Sequence, residues 1–205
     1  MTAGPRQRSR SNRVVALGAA AAALAVIGLA YFQRDPARHA PDDPRAILAP
    51  ADGRVLLIEA ATAPAFVAGP AWRIVIFLSL WDVHVQRAPA AGQVALSQRQ
   101  LGGFAPAFQG RAAHNAGHRL GLETAYGRLL VVRTSGLVAR RVTTTVAPGQ
   151  ALLAGERMGR ILLGSRAEVF MPCTAIVRVR PGEQVRAGET VLATWGGSKE
   201  RDGDD

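Results

Sequence analysis

Lysine is almost absent from this chain of 205 residues, because Lys199 is the only one and arginines carry the rest of the positive charge. Enzymes that use pyridoxal phosphate hold it as a Schiff base on a lysine, and carrier domains attach lipoate or biotin to one. Lys199 lies in a polar C-terminal tail that suits neither role. We therefore expect no pyridoxal phosphate in this protein.

Cysteine and histidine are also scarce. Cys173 is the only cysteine and cannot form an intramolecular disulfide. The four histidines are His39, His84, His114 and His118. His114 and His118 would share one face of a helix, but the Asn-Ala-Gly between them is a poor helix former. The sequence therefore predicts no metal site.

The chain also lacks the patterns that accompany nucleic-acid binding. Its net charge is +10, but the arginines are scattered, with neither zinc-ligand spacing nor an aromatic-rich strand motif beside them. Anionic lipid headgroups explain the basic excess as well as nucleic acid does. We predict no nucleic-acid partner.

One long stretch has no charge at all. Residues Val14 to Phe32 form a 19-residue run without a charged side chain, which as a helix would span roughly 28 Å. This run predicts a transmembrane anchor, with a cleaved signal peptide as the alternative. Flanking arginines do not decide its orientation, since they stand on both sides, at positions 6, 8, 10 and 13 before it and 34, 38 and 45 after it.

Beyond residue 33, helical periodicity is scarce and short apolar strands dominate. The stretch Pro148–Ser165 also aligns with Pro181–Ser198 at an offset of 33 residues, and both contain Pro-Gly, Ala-Gly-Glu and a final Gly-Ser. We predict a mostly β fold, a β-sandwich with duplicated hammerhead-like halves and few short helices, preceded by one transmembrane helix. The predicted strands are 53–59, 73–80, 82–86, 92–96, 128–132, 136–142, 160–163, 169–171, 176–180 and 190–194, and the glycine-rich segment 102–127 is predicted to be a mobile loop.

Five motifs appear in one order along the chain. They are RDP at 34–36, APADGRV at 49–55, DVHVQRAP at 82–89, GLVARRV at 136–142 and GERMGRILLGSRAEVFMP at 155–172. Together they closely resemble the phosphatidylserine decarboxylase proenzymes, particularly the short bacterial type. One departure is that Leu122–Tyr126 stands where short-type relatives carry an Asp-Asn-Glu-Arg run, which bears on substrate identity more than on self-cleavage.

The resemblance implies that the chain makes its own carbonyl cofactor. Ser165 would attack the carbonyl of Gly164, and elimination would leave a pyruvoyl group at the head of residues 165–205. That group would decarboxylate phosphatidylserine to phosphatidylethanolamine through a Schiff base, without metal. The implied partners are membrane phosphatidylserine and the two cleavage fragments, 1–164 and 165–205, as a heterodimer; a homo-oligomer is left open.

The resemblance also suggests a domain plan and a location. We expect a basic N-terminus and anchor over residues 1–33, a linker over 34–45, the decarboxylase domain over 46–198 and a polar tail over 199–205. The protein is expected at the cell membrane. The family favours its cytoplasmic face, whereas the slight excess of arginine before the anchor would put the domain on the other side.

Two further residues complete the predicted catalytic group. His84 is the candidate base for the Ser165 hydroxyl, because a histidine can pass a proton in either direction near neutral pH. Asp52, in the Ala-Asp-Gly turn, would orient His84 as the third member of a triad. Arg87 is a candidate for binding the substrate phosphate or carboxylate.

A second hypothesis comes from a different functional class. A membrane helix that bears a hammerhead β-sandwich also occurs in non-enzymatic adaptor subunits of export pumps. Such adaptors carry a long helical hairpin with heptads, which this sequence lacks. They also have no use for Asp52, His84 and Ser165, so the enzyme hypothesis is favoured, with an inactive or altered-substrate relative as a further alternative.

Overall fold

The computed structural model describes residues 5–62, 65–136, 141–161 and 165–196, and it divides the chain into two units, Met1–Arg34 and Asp35–Asp205. The first unit contains helix α1, Pro5–Phe32. Within α1, Val15–Phe32 has a mean hydropathy of 2.2 and is long enough to cross a bilayer. A signal sequence would meet the same test of length and composition.

The second unit is built from fourteen described strands that divide into two halves of seven. Half A contains β1 Ala46–Leu48, β2 Gly53–Thr62, β3 Pro70–Leu78, β11 Ser165–Pro172, β12 Ile176–Val177, β13 Gln184–Val185 and β14 Val191–Thr194. Half B contains β4 Val85–Arg87, β5 Gly92–Gln100, β6 Gly117–Thr124, β7 Gly127–Thr134, β8 Val142–Thr144, β9 Ala151–Leu152 and β10 Arg157–Ile161. A 3₁₀ turn, Gly110–His114, lies between β5 and β6.

The strand order is the same in both halves. An eight-stranded sheet runs β13-β2-β3-β11-β7-β6-β5-β9, so each half contributes four strands and the halves meet where β11 pairs with β7. Each half adds a three-stranded sheet, β1-β14-β12 in half A and β4-β10-β8 in half B. The predicted mostly β fold with duplicated halves is confirmed.

Backbone hydrogen bonds repeat from one half to the other. Gly188 N–H donates to the Ala49 carbonyl, and Gly155 N–H donates to the Ala88 carbonyl, each at 2.8 Å. Gly155 and Gly188 both have a positive φ, of 77° and 72°, and an added Cβ on Gly188 would lie 3.2 Å from the Gly155 Cα. The Ala-Gly-Glu turns of the two repeats therefore pack against each other, and glycine is required for both their conformation and their close approach.

The halves also exchange hydrogen bonds directly. Leu48 N–H in half A donates to the Pro89 carbonyl at 2.7 Å, and Arg87 N–H in half B donates to the Pro50 carbonyl at 2.9 Å. The two Ala-Pro-Ala turns are thus equivalent, and the duplication extends beyond the two segments identified from the sequence.

The segment predicted as a mobile loop, 102–127, was assigned wrongly at its C-terminal end. Residues Gly117–Thr124 form β6, which pairs with β5 on one side and β7 on the other. Leu120 and Leu122 alternate along it and are fully buried, and this burial holds the glycine-containing strand in place. Asp82 was also wrongly placed in a strand, because β4 begins at Val85 and Asp82 lies in a turn.

The main core lies against one face of the eight-stranded sheet. Alternate residues of its central strands point into it and are fully buried, including Ile74, Ile76 and Leu78 of β3 and Ala167 and Val169 of β11. Because β3 and β11 pair along their whole length, from Ser165 opposite Leu78 to Pro172 opposite Ala71, β11 is held on both sides within the sheet.

Candidate active site

Two connections join the halves, and they meet. Residues 79–84 lead from β3 to β4, and residues 162–164 lead from β10 to β11. Ile161 N–H donates to the His84 carbonyl at 3.1 Å, and Ser165 pairs with Leu78. The described residues on either side of 162–164 are therefore paired with His84 and with Leu78, the residue before the segment 79–84. The backbone of His84, the predicted base, is thus bonded to a residue four positions before Ser165.

Gly164 lies outside the described residues, whereas the backbone of Ser165 is described. This residue begins β11, between β3 and β7. A chain break before Ser165 would leave β11 with its hydrogen bonds to both neighbours. The position therefore suits a pyruvoyl group, because its carrier strand would stay fixed without a covalent link to residue 164.

The ring of His84 is buried and makes a hydrogen bond through Nδ1. Its Nδ1 lies 2.8 Å from the backbone carbonyl oxygen of Asp82. A carbonyl can only accept, so Nδ1 must carry the proton in this bond. In the neutral ring, Nε2 is then the nitrogen able to take a proton. The turn that holds Asp82 is fixed by its own carboxylate, which accepts hydrogen bonds from the N–H and the hydroxyl of Ser79.

The Asp52 carboxylate accepts hydrogen bonds from two different parts of the chain. Its Oδ1 accepts from the Ala187 N–H at 2.7 Å, and its Oδ2 accepts from Arg38 Nη2 at 2.7 Å. Nδ1 of His84 is bonded to the Asp82 carbonyl, and the orientation of His84 by Asp52 stays a prediction. Burial is the largest influence on Asp52 and raises its pKa, against the effects of the Ala187 N–H and Arg38 and with further repulsion from Asp82.

The duplication shows that the turn itself does not need this carboxylate. Residue 91, an alanine, occupies in half B the place of Asp52 in half A, since Ala88 and Gly92 correspond to Ala49 and Gly53. Both turns make the same hydrogen bonds to the opposite half. Asp52 is therefore an addition to a turn that folds without it, and its buried charge calls for another explanation.

Arg87 is buried and bound within the protein. Its Nη1 donates to the Gly155 carbonyl at 3.0 Å, and its Nη2 donates to Asp35 Oδ1 and to the Pro36 carbonyl, also at 3.0 Å. Burial is the main influence on its pKa, which is lowered. These contacts favour a structural role, in which Arg87 ties residues 35–36 to half B, and substrate binding by Arg87 stays a prediction.

The segment Leu122–Tyr126 lies at the other end of the sheet from Ser165. Gly117, at the start of β6, pairs with Thr134, which in turn pairs with Arg166. Thr124 is seven residues further along β6, about 23 Å away at the rise of a strand. The residues Leu122–Tyr126, where the sequence departs from the short-type pattern, are therefore far from the cleavage position.

Sequence reasoning missed Asn115, which organises the loop beside the site. Its side chain is buried and bonds to both the N–H and the carbonyl of Ala105 at 2.8 Å, and its Nδ2 donates to the Ser135 carbonyl at 2.7 Å. Ser135 directly follows Thr134, the partner of Arg166. Asn115 thus fixes the chain next to the start of β11. Its position within a glycine-rich segment gave no sequence signal for this role.

Among the residues that the structure describes, no group of three or more histidine, cysteine or acidic side chains could hold a metal ion. His118 lies in β6 and His114 ends the 3₁₀ turn, so the two do not share a helix face.

Comparison with known proteins gives one consistent result. The sequence profile of the phosphatidylserine decarboxylase family matches residues 28–193. A phosphatidylserine decarboxylase proenzyme of Symbiobacterium thermophilum is 42% identical over 179 residues, which cover 86% of this chain and 83% of that protein. Proteins of the same name from Carboxydothermus hydrogenoformans and Desulfotalea psychrophila are each 39% identical over 171 residues, covering 82% of this chain and 80% of their own.

Proposed function

Because the chain belongs to the phosphatidylserine decarboxylase family, we propose that it is a self-processing, pyruvoyl-dependent enzyme that converts phosphatidylserine to phosphatidylethanolamine and CO₂. The observation that carries the proposal is the pairing beside the two connections between the halves, where Ile161 is bonded to His84 and Ser165 pairs with Leu78. An adaptor would need no such arrangement.

Self-processing begins with His84. Its Nε2 takes the proton of the Ser165 hydroxyl, whose oxygen forms a bond to the Gly164 carbonyl carbon as the peptide C–N bond breaks, giving an ester. Elimination across Cα and Cβ of Ser165 then releases the Gly164 carboxylate and leaves dehydroalanine. Water replaces its nitrogen as ammonia, and residues 165–205 begin with a pyruvoyl group.

The pyruvoyl carbonyl supplies the electron sink that amino-acid decarboxylation requires. The chain's own contribution is to hold that group in place. Strand β11 lies between β3 and β7, while β13 pairs with β2 and β14 pairs with β1, so the small fragment is interleaved with the large one. The working enzyme would be a heterodimer of the two fragments.

Asp52 enters this proposal as an electrostatic partner of His84. It is close enough to Asp82 for the two carboxylates to repel each other, and Asp82 stands two residues before His84. A buried negative charge at this place stabilises the imidazolium that forms when His84 takes the serine proton. It needs no direct hydrogen bond to do so.

We therefore expect Asp52→Asn to accumulate uncleaved precursor, slowed at least about 10-fold. Asparagine keeps an acceptor for the Ala187 N–H, but its NH₂ replaces the oxygen that accepts from Arg38, so the charge and that hydrogen bond are lost together. Arg38→Gln is the control, because it removes the ion pair of Asp52 and keeps the carboxylate. The rate is read from denaturing gels during expression and after purification. Equal slowing by both variants would show that Asp52 acts only through its ion pair with Arg38.

The end of the sheet that contains the site also carries exposed apolar side chains. Leu80 and Trp81 lie on the connection between β3 and β4, and Leu101 follows the last residue of β5, all with large exposed fractions. Gln100 pairs with Gly117, which places Leu101 at the same end as Ser165. Such a surface suits the headgroup region of a bilayer, where apolar and aromatic side chains are favoured.

We expect Trp81→Ser to raise the KM for phosphatidylserine in vesicles several-fold and to leave the KM for a short-chain phosphatidylserine in neutral detergent micelles unchanged. Leu153→Ser is the control, since Leu153 is as exposed as Trp81, at 74%, but follows β9 at the opposite end of β5. An equal effect of both variants, or an equal effect in micelles, would contradict membrane contact by the loop of Trp81.

The activity itself is tested with the purified protein and phosphatidylserine in micelles without pyridoxal phosphate. We expect phosphatidylethanolamine to form, measured by mass spectrometry, and hydroxylamine to abolish its formation because it captures a carbonyl. Processed protein that forms no product would overturn the assigned substrate, and activity resistant to hydroxylamine would overturn the carbonyl mechanism.

A further inference from the structure

Three basic side chains form a row across three adjacent strands. Arg99 of β5 pairs with His118 of β6, and His118 pairs with Arg133 of β7. Directly paired residues of antiparallel strands point to the same face of a sheet. The next position in the row is Ala167 of β11, two residues after Ser165. The row therefore leads across the sheet toward the start of β11.

Arg133 continues the apolar stripe of β7, where Leu129 and Val131 point into the main core. Its side chain is fully buried, and burial lowers its pKa to about 10, so it remains a cation at neutral pH. Among the described residues it forms no ion pair with a carboxylate, and its Nε has no hydrogen-bond partner. Its bonds go to Thr144 Oγ1 at 2.7 Å and His118 Nδ1 at 3.0 Å, with longer ones to backbone carbonyls.

A buried guanidinium without a counter-ion is costly, and such charges are normally paired. The opposite face of the sheet gives a contrast, because Arg73 there forms ion pairs with Glu59 and Glu168. The absence of an equivalent carboxylate among the described neighbours of Arg133 suggests that its counter-ion is a ligand.

His118 is hydrogen-bonded to Arg133 and lines a cavity. A guanidinium has no acceptor, so His118 Nδ1 accepts from Arg133, and the proton of the neutral ring is on Nε2. Burial, and next the charge of Arg133, lower the pKa of His118 to about 4, so the ring is neutral at pH 7 and offers Nε2–H as a donor. Ser97 Oγ lies 3.3 Å from it.

The cavity has a volume of about 380 Å³ and its described lining is basic and polar. Arg99, His118, Arg141, Ser135 and Thr144 contribute to it, and none of the lining residues that the structure describes is acidic. Neither Arg99 nor Arg141 has an ion pair among the residues that the structure describes. The basic side chains of this cavity favour the binding of an anion.

The cavity adjoins the cleavage position on two sides. Ser135 follows Thr134, which pairs with Arg166, so the lining reaches the strand position beside Ser165. Val142, on another wall, pairs with Ile161, the residue that precedes the segment 162–164. A ligand in the cavity thus lies next to the start of β11.

We propose that this cavity, with Arg99 and Arg141 at its surface and His118 and Arg133 behind them, binds the phosphodiester of the substrate headgroup. The inference rests on the proposed function. Four bonds separate the amine of a phosphoserine headgroup from its phosphorus, a reach of about 5 Å, similar to the spacing of neighbouring strands. The amine can therefore be at the start of β11 while the phosphate occupies the part of the cavity near Ser135, which follows β7, the strand next to β11; His118 and Arg99 lie further across the sheet, on β6 and β5.

The substrate carboxylate is a poorer occupant. Loss of CO₂ removes the negative charge of the carboxylate, so cations that stabilise it in the ground state would slow the reaction. The phosphodiester keeps its charge from substrate to product. Cations that bind it fix the headgroup without this penalty.

The test is the KM of the Arg99→Gln, Arg141→Gln double variant for dihexanoyl phosphatidylserine in neutral detergent micelles, where attraction to an anionic bilayer plays no part. We expect normal self-cleavage, a KM raised about 10- to 100-fold and a kcat within a few-fold of wild type. Inorganic phosphate should compete with the substrate in wild type and lose most of its potency in the variant.

Arg119→Gln is the matched control, because it makes the same charge change one residue after His118, on the opposite face of β6. It should leave the KM unchanged. The proposal would be overturned if the double variant were cleaved and kept the wild-type KM. It would also be overturned if inorganic phosphate still inhibited the double variant, since the cavity would then not be the phosphate site. If the double variant loses inhibition by inorganic phosphate but its KM for the lipid is unchanged, the cavity binds phosphate and does not bind the substrate headgroup. Failure of wild type to cleave would instead overturn the proposed function.

Discussion

The Ser165→Ala variant is expected to remain a single chain of 205 residues, whereas the wild type separates unaided into fragments 1–164 and 165–205. Alanine has no hydroxyl to attack the Gly164 carbonyl, so neither the ester nor the subsequent elimination can occur. The variant should fold normally, because β11 keeps its backbone hydrogen bonds to β3 and β7. Denaturing gels and the intact mass of both proteins measure the difference.

Ser198→Ala is the control for this prediction. The sequence repeat ends in Gly-Ser at both positions 164–165 and 197–198, but a cut before Ser198 would release only a polar tail, SKERDGDD. Such a tail has no apolar side chain to hold a cofactor in place. Ser198→Ala should therefore split like wild type. A fragment with the mass of residues 198–205 would show that the wrong repeat was chosen, and unsplit wild type would refute the enzyme proposal.

The small fragment provides an independent check of the same chemistry. Its first residue should be a ketone, so it should resist Edman degradation and be labelled by an amine in the presence of a reductant. A fragment that begins with a free serine would mean simple hydrolysis of the Gly164–Ser165 bond. It would then lack the electron sink that decarboxylation requires.

Local pattern was enough to predict the class of fold and its duplication. The uncharged run that ends at Phe32 predicted α1, and the repeated Pro-Gly and Ala-Gly-Glu turns predicted equivalent strand pairs in both halves. The segment Ala88–Val94, which contains the second Ala-Pro-Ala turn, resembles Ala49–Val55 in sequence and was not among the predicted repeats. This second copy extends the repeat, and it shows that the turn does not need the Asp52 carboxylate in order to fold.

Strand β6 and the partners of Asp52 were harder to predict, for different reasons. Glycines hide the alternation of Leu120 and Leu122, which is stabilised by neighbouring strands rather than by local propensity. Asp52 pairs with Arg38, which lies before the first strand in a segment that was expected to be a linker. Contacts made by such irregular segments depend on the complete fold, and no short pattern encodes them.

His84→Ala should also leave the precursor uncleaved, with processing slowed about 10² to 10⁴-fold, the usual contribution of a positioned base. The serine hydroxyl is then without a group to take its proton. His84→Asn tests the base separately from the fold, since an asparagine N–H can still donate to the Asp82 carbonyl but its amide cannot accept a proton at neutral pH. We expect His84→Asn to be as slow as His84→Ala.

Two further measurements distinguish a missing base from a damaged site. Added imidazole should restore part of the cleavage in His84→Ala, because the deleted side chain leaves space for it beside the connection that precedes Ser165. His39→Ala, at an exposed histidine, should cleave like wild type. If His84→Asn cleaves at the wild-type rate, His84 serves only to hold Ile161 and the Asp82 turn, and the base that activates Ser165 must be another residue.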